Sequence, residues 1–294
     1  MSDITLSSAT RGNLLSLQST SNLIGRTQER LATGLKVNSA IDDALAFFKA
    51  RNLNSRAGDL STLKDGILGG ISVIRAGIQG LEGIEAVIKQ MKALAQSAIS
   101  SPESTTRAKL ASQFNELRSQ VDNLAEDASF NGVNLLKNTA GAFTGGADLL
   151  TVKFNERTDT ASLNQLIVSG LSPTDFTSIM AAPAVATGAG TSVWGVTGTA
   201  ALTAINASIR AIDSALVTVR ASAQEFGTNA TMLQIRADFT ANIINTLKGG
   251  AAELVNADMN EESANLLSLQ TRQQLGTISL GIAQQSEQSI LRLF

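Results

Sequence analysis

Apolar residues recur along this chain in alternating steps of three and four, and the places where that rhythm breaks divide it into segments. The longest unbroken stripe begins at Leu202 and runs through Ile205, Ile209, Ile212, Leu216, Val219, Phe226, Leu233, Ile244 and Leu247 to Leu254. A stripe of that period predicts a long helix packed lengthwise on other helices. In the same register the next positions would be Asp258, Glu261, Asn265 and Ser268, all polar, whereas the apolar stripe resumes at Leu266. The phase therefore shifts within 256–265. A slip of that kind disturbs supercoiling locally and predicts a joint between two coiled-coil regions.

The first half of the chain is built the same way. Residues 1–35 predict a helix, with Gly34 and Asn38 as stop signals that tolerate left-handed backbone. Ser39 is the expected N-cap of the next helix, with Asp42 at its third position as a weak capping box. Residues 60–98 carry Leu63, Ile67, Ile71, Ile74, Ile78, Leu81, Ile84 and Ile88 at helical spacing, yet include Gly66, Gly69, Gly70, Gly77, Gly80 and Gly83. Each glycine costs about 0.5–1 kcal/mol against alanine inside a helix. Tertiary packing must therefore hold this segment, and its small residues let a neighbour approach closely. Pro102 breaks the pattern and suits the first position of a helix, with Glu103 in its first turn. That helix is expected to end near Ser129, and Asn131-Gly132 is a turn signal. In the middle, 149–155 and 163–169 are β-like runs separated by a polar loop, a predicted hairpin. A Gly/Ala/Thr-rich stretch follows, in which Trp194 is expected to pack down and pin the loop.

Both ends carry coiled-coil seams. Leu14, Leu17, Ile24, Leu31 and Leu35 keep the spacing at one end, with Ser21 and Gln28 as polar gaps. Leu266, Leu269, Gly276, Leu280, Ala283 and Ile290 keep it at the other, which stays striped to Phe294. Each buried Leu or Ile contributes about 1.5–3 kcal/mol, but only once something covers it. The ends are therefore expected to be disordered in a lone monomer, and to meet each other and further copies. The predicted fold is mainly α: a discontinuous long-helix coiled-coil bundle with its N- and C-terminal segments paired and a small β-hairpin in the middle. The expected parts are a terminal core module (1–40 plus 256–294), a helical rod (41–137 plus 200–255) and an inserted hairpin and surface loop (138–199).

Composition removes most chemistry. The 294 residues include no Cys and no His. That excludes disulfides, the common thiolate and imidazole zinc sites, and Ser-His-Asp or Cys-His nucleophile pairs. A net charge of -2 makes no case for nucleic acid. No continuous apolar run approaches the roughly 18 residues of a membrane span, so no membrane partner is expected. The N-terminus lacks the apolar core of a cleavable secretory signal. The Asp42-Asp43 pair reads as helix-start electrostatics rather than a metal or acid–base site. No catalytic, cofactor-binding or metal-ligating residue is assigned, and no cofactor is expected.

Three stretches carry a family resemblance: ERLATGLKVNSAIDDA at 29–44, SFNGVNLL at 129–136, and NIINTLKGGAAELVNADMNEESANLLSLQTRQQLGTISLGIAQQSEQSILRLF at 242–294. The chain resembles a bacterial flagellin over roughly 1–140 and 200–294. The resemblance implies a filament subunit whose terminal helices form the filament core, surrounded by a tube built from the rod. With only a short middle it looks like a minimal flagellin. It also implies the flagellar export apparatus, an export chaperone, and the filament cap and junction proteins as partners, and an extracellular destination. One departure stands out. Gln90 and Ala93 occupy positions where the family carries the Arg and Glu sensed by an animal innate-immune receptor, which implies weak recognition. A hook–filament junction protein of the same family, and a cytosolic coiled-coil scaffold, are the alternatives. A peptidase insert would need an H-E-x-x-H motif, which a chain without His does not have.

Overall fold

A computed structural model describes residues 8–136, 149–156, 164–171, 194–196 and 198–291. In chain order it contains α1 (Ser8–Thr33), α2 (Ala44–Ser100), α3 (Ser104–Asp127), β1 (Ser129–Phe130), β2 (Val133–Asn134), β3 (Leu149–Lys153), β4 (Gln165–Ser169), α4 (Thr199–Val255) and α5 (Met259–Leu291). The chain forms two compact units: Met1–Gly58 with Asn245–Phe294, and Asp59–Ile244.

Within the Asp59–Ile244 unit, α2, α3 and α4 share one core. Ile67, Ile74, Leu81, Ile84 and Ile88 of α2 meet Phe114 and Val121 of α3 and Ile205, Ile212, Val219, Phe226 and Leu233 of α4. Close approach explains part of the glycine content of α2. A Cβ on Gly80 would stand 2.5 Å from Leu136 Cδ1 and 2.6 Å from the Ala128 Cβ, and one on Gly77 would stand 3.2 Å from the Phe226 ring. Gly66 and Gly69 face open space and have no such reason. Ion pairs tie the helices at their rims: Arg220 of α4 donates two hydrogen bonds to Glu85 at 2.9 and 3.0 Å, and Lys92 pairs with Asp213. Windows of 18 residues in α2 and α4 reach a mean hydropathy of 1.2, a membrane-like average that the search for continuous apolar runs overlooks. Core packing already buries 44% and 33% of those windows.

The predicted hairpin strands pair, and the Asn131-Gly132 turn signal also joins two short strands. Asn131 (φ 52°) and Gly132 (φ 80°) both take left-handed backbone, the two-residue turn whose twist matches the strands it joins. Asn134 of β2 then donates to the carbonyls of Ala125 (2.8 Å) and Glu126 (3.1 Å), satisfying the free carbonyl end of α3. β3 and β4 pair antiparallel with Leu150 opposite Val168 and Val152 opposite Leu166. Leu150, Val152 and Val168 point inward, while Thr151 and Lys153 point out. Val152 reaches Gly70, and Arg236 lies over the Phe154 ring at 5.1 Å.

Two expected caps move. α2 begins at Ala44, so its N-cap is Asp43, whose Oδ1 accepts from the Ala46 N–H at 3.0 Å. Ser39 instead joins Asp42 in a separate turn ahead of the helix. Its N–H and its hydroxyl both donate to Asp42 Oδ2 at 3.0 Å. Pro102 likewise lies outside α3, whose N-cap is Glu103. The Gly/Ala/Thr-rich stretch 172–193 lies outside the described residues, while Trp194 after it is fully buried with its ring 5.0 Å from Phe114, as expected of a residue that packs down. Beneath it lies a residue that sequence reasoning missed. Arg107 is buried and donates to the carbonyls of Trp194, Val196, Ser101 and Pro102 at 2.9–3.0 Å. No apolar period flags such a residue, because its partners are backbone oxygens.

Candidate assembly interface

The Met1–Gly58 and Asn245–Phe294 unit brings the two ends of the chain together. Gly34 (φ 70°) ends α1, with its N–H donating to the Arg30 carbonyl at 2.8 Å. The chain then runs beside the gap between α4 and α5. The N–H groups of Lys36 and Val37 donate to the Val255 carbonyl at 2.7 and 3.2 Å, and that of Ala257 to the Gly34 carbonyl at 2.9 Å. Leu35 and Asn256 form an antiparallel bridge. The phase shift expected within 256–265 coincides with this helix break, after which Asp258 caps α5 by accepting from the N–H groups of Asn260 and Glu261. Leu35 therefore lies off the helix, since Gly34 stops α1 one residue before it.

From that joint α1 and α5 run side by side. Leu17, Ile24 and Leu31 of α1 are half-buried, as are Leu266, Leu269, Gly276, Leu280 and Ala283 of α5. Leu17 packs where Gly276 leaves room, since a Cβ there would stand 2.6 Å from Leu17 Cδ2. Leu14 is 48% exposed. The Ile290 side chain and Phe294 lie outside the described residues. Polar groups interrupt the seam. Thr27 is buried, and Arg30 donates to Glu262 at 2.9 Å in a partly buried ion pair. Arg26, Arg30 and Arg272 share with Glu262 a polar cleft of about 250 Å³.

The structure adds a feature that the seam analysis did not contain. Leu267 (67% exposed), Leu275, Ile278 and Ile282 form a second apolar stripe on α5. At 100° per residue it lies roughly opposite the first. α5 is thus apolar on two opposed faces, and α1 covers one of them. On α1, Leu15 and Leu23 are exposed as well. The signal was present in the sequence, since 267, 271, 275, 278 and 282 keep three/four spacing. It stayed hidden because a helix striped on both sides has no single amphipathic direction.

Comparison with known proteins fits this geometry. Residues 4–141 match the bacterial flagellin N-terminal helical region, and residues 209–294 match the bacterial flagellin C-terminal helical region. Flagellin FljM of Caulobacter vibrioides is 33% identical over 283 residues, covering 96% of this chain and 94% of its own. The chain belongs to the bacterial flagellins. It is a structural subunit of the flagellar filament, and the family is a structural one. Flagellin C of Rhizobium meliloti is 28% identical, covering 100% of this chain and 99% of its own. A crystal structure of Bacillus cereus flagellin, 18% identical, covers 60% of this chain and 88% of its own at a TM-score of 0.44. As a flagellin this chain carries Gln90 and Ala93 on the exposed side of α2.

Proposed function

We propose that this flagellin leaves the cell unfolded through the flagellar export apparatus, escorted by an export chaperone, and polymerises outside it through its terminal helices. In this reading 1–40 with 256–294 forms the filament core, 41–137 with 200–255 the tube around it, and 138–199 the tube's surface. The filament cap and junction proteins bound the polymer at its ends. A chain without cysteine, with glycines that weaken α2 on its own, suits passage in the unfolded state. The seam Leu14, Leu17, Ile24, Leu31, Leu266, Leu269, Leu280 and Ala283 is the proposed inner contact, with Leu35, Ile290 and Phe294 extending it.

The observation that carries this reading is the second stripe of α5. Four branched apolar side chains, each 59–67% exposed, lie on the face that α1 does not cover. Burying one such residue contributes about 1.5–3 kcal/mol, and no described residue of this chain covers that face. Ile278→Asp tests it, because the side chain is exposed and the substitution leaves the α1–α5 seam in place. The variant monomer should keep the circular dichroism of the wild type, and electron microscopy with filament seeds should show no growth. Filaments of normal length from the variant would refute the reading.

A further inference from the structure

The polar cleft at the α1–α5 seam holds more positive charge than the chain neutralises. Arg26, Thr27 and Arg30 contribute to it from α1, and Glu262, Ser268 and Arg272 from α5. Three guanidiniums thus face one carboxylate, a surplus of two positive charges. Glu262 accepts from Arg30 at 2.9 Å. Among the described residues no carboxylate pairs with Arg26 or Arg272. Asp42 lies within electrostatic reach of Arg26, but its Oδ2 already accepts from Asn38 and Ser39. Arg26 and Arg30 stand one turn apart on α1, and like charges at that spacing weaken a helix. The arrangement therefore works against the monomer unless an anion enters.

Thr27 gives a second, independent reason. It is 7% exposed and lines the cleft, yet its hydroxyl has no hydrogen-bond partner among the described residues. By contrast Thr20, Thr33, Thr228 and Thr240 each donate to the carbonyl four residues back. A buried hydroxyl is ordinarily satisfied, and one without a protein partner marks a place for a water or an ion. Beside three guanidiniums, the charge selects an anion. The cleft of about 250 Å³ is several times the ~30 Å³ share of a water, so a tetrahedral oxyanion fits with water around it.

We propose that this cleft binds a divalent tetrahedral oxyanion of the sulfate or phosphate class, and that the bound ion clamps α1 to α5. Its two charges match the surplus. Its four oxygens match donors that come from both helices: the guanidinium N–H groups of Arg26, Arg30 and Arg272 and the hydroxyls of Thr27 and Ser268. Guanidinium forks hold such oxygens in pairs, a geometry that a chloride ion does not offer. An ion held by both helices binds the folded pair and not the separated helices, so it stabilises the pair by mass action.

Hydrogen exchange read by mass spectrometry on the full-length monomer tests this. Sodium sulfate is the probe, divalent throughout the neutral range, and sodium chloride at equal ionic strength is the control, so that general screening cancels. Sulfate should slow exchange in α1 and α5 saturably, roughly tenfold at ten times its half-saturating concentration. Exchange in α3 should not change, whereas a general salting-in of the folded state would slow every helix. The Arg26→Gln/Arg272→Gln variant should hold α1 and α5 at least as well as the wild type in chloride and lose the response to sulfate. Thr27→Val keeps the shape and removes the donor, and should need several-fold more sulfate for the same protection. Equal exchange of the wild type in the two salts would overturn the proposal. So would a wild-type response to sulfate from the double variant. Should the double variant lose the helix pair in chloride, Thr27→Val decides alone, and an unaltered sulfate response from it would overturn the proposal.

Discussion

Gly80→Ala and Gly66→Ala change the same atoms in the same helix, and the structure gives them opposite signs. Both replacements gain about 0.5–1 kcal/mol of helix propensity. At Gly66 the new methyl meets nothing within 4 Å, so that gain stands alone. At Gly80 the methyl would lie 2.5 Å from Leu136 Cδ1 and 2.6 Å from the Ala128 Cβ. The Ala128 Cβ is fixed to the backbone and Leu136 is buried, so neither can swing aside cheaply. Overpacking of this kind costs about 1–3 kcal/mol. The net effect at Gly80 is therefore a loss of up to about 2.5 kcal/mol, against a gain of about 0.5–1 at Gly66. In a unit the size of Asp59–Ile244, each kcal/mol moves the melting temperature by roughly 2–4 °C. Thermal melts followed by circular dichroism on dilute monomer should place Gly66→Ala above the wild type and Gly80→Ala below it. A Gly80→Ala protein melting at or above the wild type would refute the close-packing account of the α2 glycines.

Two further outcomes are expected. Arg107→Gln should cost about 2–4 kcal/mol, because hydrogen bonds to four backbone carbonyls are lost or remade poorly; the fluorescence of Trp194, the chain's one tryptophan, should shift to the red, and unchanged emission with unchanged stability would count against the clasp. Hydrogen bonds from the Ser39 hydroxyl and N–H and the Asn38 N–H hold the Asp42 carboxyl below its ordinary value of 3.8. A depressed folded value means that this contribution is present above the unfolded value and is lost as pH falls through the folded one. The Ser39–Asp42 turn should therefore stay protected from proteases at neutral pH and open under acid below about pH 3.8, while Asp42→Asn should open it at neutral pH; equal protection of variant and wild type at pH 7 would contradict this.

The helices and their breaks were legible because each has a local cause. A three/four stripe requires a helix wherever one face is buried, and the phase slip after Leu254 required a joint. Asn131-Gly132 permitted a turn that few other pairs allow. The seam positions Leu17, Ile24, Leu266, Leu269 and Leu280 followed from the same stripe. The caps of α2 and α3 were misplaced because several polar residues in a row can each serve, and packing chooses among them. Arg107 was invisible because backbone carbonyls, which accept its bonds, carry no residue identity. The second stripe of α5 was spelled out in residues but cancelled against the first.

The sequence by itself determined that this is a long-helix protein and where its chain breaks, since periodicity and turn chemistry are local properties, and its likeness to the flagellins lies in the particular residues of three stretches rather than in that periodicity. Only the tertiary structure decided which glycines are crowded, which apolar face stays uncovered, and that a buried arginine clasps four backbone carbonyls. Those depend on what residues far apart in the chain bring to the same place.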